Sequence, residues 1–167
     1  MKTKAFILSA FVLLSSVAFG QTEKGKWTVS GNTSLQILNT GNSDDNSTTV
    51  TLNPSVGYFV ANNVAVGASL SLTSQEGAST FSILPTAIYY FPTASQVKPY
   101  LQAGIGYGNI KVSGFSMGGL AIGGGAGIAY FINKNVSLDL GLQYLRNDYD
   151  GGILNTFGGV VGFSLFF

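Results

Sequence analysis

The residue types that carry most protein chemistry are missing from this sequence. It contains no histidine and no cysteine, which excludes Ser-His-Asp and Cys-His catalysis and the usual zinc sites. Acid–base catalysis by carboxylates needs two acids in one pocket, and Asp139, the one clear charge on the polar face of a predicted strand, has no acidic partner there. We expect Asp139 to pair with a lysine or a hydroxyl group, because an unpaired buried charge is costly. The sequence therefore predicts no catalytic, cofactor-binding or metal-binding residues.

Two glycine-rich runs invite comparison with nucleotide-binding loops. They are Gly104-x-Gly106-x-Gly108 and Gly123-Gly124-Gly125-x-Gly127. Neither completes the G-x-G-x-x-G pattern, and no helix is predicted after either run. We interpret them as small residues on an enclosed face, where they leave room for large side chains. The residues expected on that face include Gly57, Gly104, Gly106, Gly123, Gly125, Gly127, Gly158, Gly162, Phe59, Tyr90, Tyr100, Phe131 and Phe166.

Acidic pairs in polar segments raise the question of calcium binding. Asp44-Asp45 and Asp148-x-Asp150 offer hard oxygen ligands, but neither matches an EF-hand or a glycine-aspartate repeat. We interpret them as solvated loop charge.

The composition is unusual for a soluble protein, and the chain begins with a predicted export signal. Only 9% of residues are charged and 46% are hydrophobic, whereas ordinary globular domains carry about 25% charge. A basic head, an apolar stretch and small residues ending at Gly20 predict a signal peptide over residues 1–20, followed by one domain over residues 21–167. Loss of Lys2 and Lys4 leaves six basic residues against seven acidic ones, which provides no basic face for nucleic acid.

Period-two alternation dominates the chain after Lys24 and predicts eight strands. In the first strand Trp27, Val29 and Leu35 alternate with Thr28, Ser30, Asn32, Ser34 and Gln36, so one face is largely apolar and the other polar. Three predicted turns are short and four predicted loops are long. The short ones are 61–63, 92–97 and 133–135, and the long ones are 39–47, 74–79, 109–119 and 146–155. Pro54 and Pro85 fall inside strands, where we expect local bulges.

The polar face carries almost no charge, which favours a lipid-facing apolar side over a water-facing polar one. Aromatic residues on the apolar face also fall at two levels, as in the girdles of membrane barrels. Those near the short turns or termini are Trp27, Tyr58, Tyr89, Phe91, Tyr130 and Phe167, and those near the long loops are Phe81, Tyr107, Tyr144 and Phe157. Charges sort too. Lys24, Lys26, Lys98 and Lys134 lie at the short-turn end, while Asp44, Asp45, Glu76, Asp148 and Asp150 lie in the long loops.

The end of the chain and one internal segment resemble a known superfamily. The alternation Val161, Phe163, Leu165, Phe167 resembles the C-terminal assembly signal of bacterial outer-membrane barrels. The segment from Lys98 to Gly108 is similar to a strand common in the small outer-membrane β-barrel superfamily of protein X, protein W and opacity-protein types. The resemblance implies recognition of the last strand, ending in Phe167, by the barrel-assembly machinery. Enzymes among such barrels depend on histidine, which is absent here.

These observations predict an all-β fold, an eight-stranded antiparallel up-and-down transmembrane β-barrel in the bacterial outer membrane, reached after export to the periplasm. We expect a monomer, surrounded by outer-membrane lipid and lipopolysaccharide, with no cofactor and no enzymatic activity. The expected role is presentation of the external loops at the cell surface. Two alternatives remain at this point: a narrow channel for small or apolar solutes, as the protein W resemblance implies, and a soluble exported ligand-binding barrel.

Overall fold

The described residues form one closed sheet of eight antiparallel strands. The computed structural model describes residues 22–38, 47–75, 78–112, 114–149 and 152–167. The predicted signal peptide and residues 39–46 of the predicted loop at 39–47 therefore lie outside the described residues, and Ser47 begins a strand. Each strand pairs with the next in sequence, and β1 pairs with β8 to close the barrel. The strands are β1 Trp27–Leu38, β2 Ser47–Ala61, β3 Val64–Gln75, β4 Ala78–Tyr90, β5 Val97–Val112, β6 Phe115–Asn133, β7 Val136–Tyr149 and β8 Gly152–Phe166.

Side chains alternate across the wall as the sequence pattern predicts. Leu140 and Val161 are 56% and 58% exposed on the outer surface, whereas Ser30 and Ser164 are buried inside. Successive residues of a strand point to opposite faces of the sheet, so the same alternation continues around the barrel. The predicted apolar faces are thus outside and the uncharged polar faces are enclosed.

The strands extend further than the sequence pattern predicts at the long-loop end. Residues 109–119 were expected to form a loop, but β5 continues to Val112 and β6 begins at Phe115. Residues 146–155 and 74–79 were also predicted as loops, and most of them continue the strands of the β7–β8 and β3–β4 hairpins. Polar residues hide the period-two alternation in these segments. A pair of strands that projects into water needs no apolar outer face, so the strands continue without that pattern. The loop predictions are therefore wrong in length.

A seven-residue repeat forms the same turn twice. Tyr58 to Val64 and Tyr130 to Val136 are similar in sequence, and each contains a register shift, between Phe59 and Ala61 and between Phe131 and Asn133. An extra residue in one strand is the mark of a β-bulge. The bulges thus lie at two short turns.

The bulges expected at the two prolines are absent. Around Pro54 the pairs Leu52–Leu72 and Ser55–Ser69 keep a single register, and the register around Pro85 is likewise unbroken. Only the ladder pairing lapses beside each proline, because proline has no backbone N–H to donate. The strands accommodate the hydrogen bond that each proline cannot donate without an inserted residue.

Candidate functional site in the lumen and at the outer hairpins

Five aromatic rings fill the lumen at the short-turn end. Phe131 and Phe166 have ring centroids 5.0 Å apart, and Phe59 lies 6.2 Å from Phe166. Tyr90 joins this group at 5.9 Å from both Phe59 and Tyr100. These separations are typical of packed aromatic pairs. We call the five residues the aromatic plug; all five are buried, as the sequence predicts.

The chain segment before β1 is hydrogen-bonded to the β2–β3 turn beside the plug. The backbone N–H of Gly25 donates to the carbonyl of Phe59 at 2.9 Å, and that of Asn63 donates to the carbonyl of Thr22 at 2.7 Å. The Thr22 hydroxyl also donates to Asn63 Oδ1 at 2.6 Å. Residues 22–26 therefore tie the start of the chain to the β2–β3 turn beside the plug.

Inner glycines provide the space that the plug requires. A Cβ atom on Gly127 would lie 2.7 Å from Cζ of Tyr100, and one on Gly141 would lie 2.9 Å from the Tyr100 hydroxyl. Distances this short cannot be accommodated without movement of the ring. Gly127 thus lies on the enclosed face, as the sequence pattern predicts.

Asp139 is buried in the lumen and accepts two hydroxyl hydrogen bonds. Ser137 donates to Asp139 Oδ1 at 2.8 Å and Ser164 donates to Oδ2. Ser164 is also 2.7 Å from the hydroxyl of Ser30. The chain of contacts joins β7, β8 and β1 across the seam where the barrel closes. The expected hydroxyl partner is thus present, and charge-assisted hydrogen bonds of this type are the stronger ones.

Lys98 is a second buried charge that the sequence pattern did not assign to the lumen. It is 6% exposed and lies on the inner face of β5, where both it and Asp139 pair with Ala129 from opposite sides. No acidic side chain of the described residues lies within ion-pair distance of it. Lys98 lies two residues before the inward-facing Tyr100, so the period-two alternation could have placed it in the lumen.

The acidic residues at the long-loop end do not form a metal site in the described part of the chain. Asp148 lies 3.5 Å from Arg146 in an exposed ion pair. Asp44, Asp45, Glu76 and Asp150 lie outside the described residues. Among the residues that are described, no three acidic side chains come together.

The β5–β6 hairpin rises beyond its neighbour β7. The ladder between β5 and β6 continues to Val112–Phe115, but β7 pairs with β6 only as far as Gly119. Residues 115–118 therefore have a partner strand on one side only among the described residues. Phe115 at the tip is 77% exposed. On the outer face, Asn109 Nδ2 donates to the Ser116 hydroxyl at 2.9 Å, which braces the two strands.

The outer surface carries two rings of exposed aromatic side chains. Trp27 and Tyr58 contact each other at 5.2 Å at the short-turn end, as do Tyr89 and Phe91 at 5.0 Å. Tyr107 and Phe157 are 51% and 62% exposed at the other end. Aromatic side chains favour the boundary between hydrocarbon and water, so the apolar band between the rings has the form of a membrane-facing belt.

Comparison with known proteins agrees with this geometry. The family model described as outer membrane protein beta-barrel domain matches residues 6–165. The chain belongs to this family of outer-membrane β-barrels. It is therefore a protein of the bacterial outer membrane, and its apolar strand faces contact lipid. The alternative of a soluble exported barrel is wrong, because that barrel would enclose the apolar faces.

Solved structures of small outer-membrane barrels are similar to this barrel across most of its length. Neisserial surface protein A matches with a TM-score of 0.67 and 21% identity, covering 86% of this chain and 96% of that one. The N-terminal barrel of OprF from Pseudomonas aeruginosa matches at 0.64 and 19%, covering 86% and 98%. Ail, the attachment invasion locus protein of Yersinia pestis, matches at 0.57 and 20%, covering 86% and 99%. At these identities the likeness concerns the fold alone. Curated protein sequences gave no significant match. No helix among the described residues is long and apolar enough to cross a membrane.

Proposed function

We propose that this outer-membrane barrel is a non-enzymatic surface protein that presents its outer hairpins, above all β5–β6, to partners outside the cell. The observation that carries the proposal is the tip of this hairpin, where Phe115 is exposed and residues 115–118 extend past β7. Proteins rarely leave an apolar tip and an unpaired strand edge in water unless these take part in binding. The tip of the hairpin at Phe115 lies beyond the outer aromatic ring and past the lipid-facing belt.

The aromatic plug argues against the alternative of a narrow channel. Phe59, Phe131 and Phe166 are each 1% exposed or less, and Phe166 contacts both of the other rings in the lumen. Residues 22–26 are hydrogen-bonded to the backbone of Phe59 beside these rings. A hydrated path along the barrel axis would have to displace these rings, and the charged Lys98 and Asp139 lie buried at the same end.

The non-enzymatic part of the proposal is supported by the whole sequence. It has neither histidine nor cysteine, so the nucleophile and base pairs most common in hydrolases cannot form. The buried carboxylate of Asp139 is occupied by two serine hydroxyls. It is therefore a structural acceptor in this arrangement.

Cysteine labelling in intact cells tests the surface presentation, because the chain contains no native cysteine. A Phe115→Cys variant is treated with a maleimide that cannot cross the outer membrane, and Lys134→Cys, in the β6–β7 turn, is the matched control. We expect Phe115→Cys to be labelled in intact cells and Lys134→Cys to be labelled only after the outer membrane is permeabilised. The reverse pattern would contradict the proposed orientation. Steady conductance of the native protein in planar bilayers would favour the channel instead.

We further propose that the barrel-assembly machinery recognises the last strand through Phe167. Phe167 is 62% exposed at the end of β8, and its backbone exchanges two hydrogen bonds with Trp27, at 2.7 and 3.0 Å. Its ring is thus presented on the outer surface at the seam, where closure of the barrel must finish.

A paired set of assembly measurements tests the role of Phe167. In cells, Phe167→Ala is expected to reduce the heat-modifiable, folded fraction on gels, whereas Phe163→Ala, four residues earlier on the same face, is expected to reduce it less. Refolding of the purified protein into lipid vesicles should be similar for both variants. Equal assembly of the two variants in cells would refute recognition through Phe167.

A further inference from the structure

An open notch of about 510 Å³ lies on the outer surface of the barrel near the long-loop end. Its floor is formed by the small side chains of Ser74 and Ser79, which pair across β3 and β4. On the side of the notch that faces the middle of the membrane, the lining is apolar. That part is formed by Leu52, Leu72 and Phe81, which are each at least 40% exposed.

The far side of the notch is polar and carries one cation. Lys111 pairs with Ser79, and Asn109 pairs with Phe81, so β5 places both side chains beside the floor. Phe81 belongs to the outer aromatic ring, and Lys111 lies two rows further out, about 7 Å along the strand at 3.4 Å per residue. The notch therefore spans the boundary where the apolar belt ends.

Lys111 forms no ion pair with any residue that the structure describes. Among the described residues at the long-loop end, the cations are Lys111 and Arg146, and Arg146 is paired with Asp148 at 3.5 Å. No acidic side chain in the described part of the chain lies within 4 Å of Lys111. A long side chain of this kind can lay its methylenes along apolar surface and keep its ammonium group at the membrane boundary.

We propose that this notch binds one lipid A unit of lipopolysaccharide from the outer leaflet. Its phosphate contacts the Lys111 ammonium group and the hydroxyl and amide groups of Ser74, Ser79 and Asn109. Its acyl chains run down over Leu52, Leu72 and Phe81. The apolar lower part, the uncharged hydrogen-bonding floor and the cation of Lys111 are arranged in the order in which this amphiphile presents its own chemical groups. The proposal is independent of surface presentation by the β5–β6 hairpin, which labelling at residue 115 tests separately.

Native mass spectrometry of the protein purified from outer membranes in a non-ionic detergent tests the site. Purified lipid A and dephosphorylated lipid A are the two probes, and the fraction of protein retaining one lipid is measured. We expect the native protein to retain lipid A in preference to the dephosphorylated form. Lys111→Gln is expected to lower retention about fivefold, which is the contribution of one basic residue near an anionic lipid surface. Lys134→Gln, at the opposite end of the barrel, is the matched control and should retain lipid A as the native protein does.

A second variant separates the shape of the notch from its charge. Ser79→Leu fills the floor without altering Lys111 and is expected to lower lipid A retention. Gly159→Leu, which adds the same side chain to the lipid face where no atom lies within 4 Å, should leave retention unchanged. The heat-modifiable gel shift shows that each variant is folded. Equal retention by Lys111→Gln and the native protein, equal retention of the two probes, or equal retention by the two leucine variants would each overturn the proposal.

Discussion

At the scale of single residues, the lower lumen is packed so closely that a methyl group matters. Gly127 lies beneath the phenol of Tyr100, and a Cβ atom there would also lie 2.5 Å from the carbonyl oxygen of Leu140. That oxygen belongs to the backbone of the next strand and cannot move independently of the ladder. Glycine at this position is therefore a packing requirement of the aromatic plug.

Gly127→Ala is expected to lower the free energy of unfolding by about 1–3 kcal/mol, the usual cost of overpacking a filled interior. The matched control is Gly159→Ala on the lipid face, where the new methyl group meets open space and the change should stay within about 0.5 kcal/mol. Urea unfolding in lipid vesicles, followed by the fluorescence of the single tryptophan, Trp27, measures both. Similar values for the two variants would contradict this account.

The hydrogen bond between Ser164 and Asp139 predicts an energetic coupling between them. Removing either partner deletes this hydrogen bond, while Asp139 keeps the bond from Ser137 and Ser164 keeps its contact with Ser30, so Asp139→Ala and Ser164→Ala should not have additive effects. We expect a coupling of about 0.5–3 kcal/mol in a double-mutant cycle, which is the range for residues in direct contact. The cycle uses the same urea unfolding measurement. Additive effects would show that the bond does not contribute to stability.

At the scale of elements, the two copies of the turn repeat differ in one backbone angle. Asn63 has φ of 66°, in the left-handed region, and is the described non-glycine residue with positive φ. Asn135, its counterpart, instead donates from its side-chain amide to the carbonyl of Phe166 at 2.6 Å. The first copy thus depends on a residue type that tolerates this conformation, and the second on a side-chain contact with β8.

Substitution of Asn63 separates backbone strain from the side-chain hydrogen bond. Asn63→Ala loses the bond from Thr22 and must hold a left-handed conformation, which costs about 1–2 kcal/mol for a residue with a Cβ. Asn63→Gly loses the same bond without that strain. We therefore expect Asn63→Ala to unfold at a lower urea concentration than Asn63→Gly. If the two variants unfold together, the left-handed conformation is not the source of the cost.

At the scale of the whole molecule, the barrel has one closed end and one exposed end. The plug, the segment at residues 22–26 and the buried charges are gathered at the short-turn end, while the extended hairpins and the notch lie at the other. At the short-turn end, the outer aromatic ring and the plug share doublets of residues: in Tyr58-Phe59 and Tyr130-Phe131 the first ring is on the lipid side and the second is in the plug. Because side chains alternate along a strand, neighbouring residues contribute to the outer aromatic ring and to the plug.

Removal of the plug should open the barrel to ions. We expect the triple variant Phe59→Ala, Phe131→Ala and Phe166→Ala to conduct in planar bilayers, whereas the native protein does not. The control replaces three lipid-facing phenylalanines, Phe81, Phe157 and Phe163, with alanine, and it should remain silent. If the control variant conducts, the current comes from a destabilised barrel wall and not from loss of the plug. If the plug variant does not conduct but retains its heat-modifiable gel shift, the rings are not what closes the lumen.

Much of the fold could be predicted from the sequence, because a strand has a period of two that every residue reports locally. Alternation placed Leu140 and Val161 outside and Phe59, Phe131 and Phe166 inside, and the aromatic levels identified the lipid belt. The even number of strands and the inner glycines followed from the same pattern. These features depend on the transfer of side chains between lipid, lumen and water, which is a property of residue type and spacing.

Only the tertiary structure decided where the strands end and which polar groups meet. Asn109 and Ser116 resemble loop residues in sequence, but backbone pairing across the hairpin keeps them in strands, and pairing between distant segments leaves no local trace in composition. The contact of Asp139 with Ser164 depends in the same way on the register of β7 against β8. The notch beside Lys111 joins residues of four strands, so its shape follows from the stagger of the whole sheet, which no single segment of the chain contains.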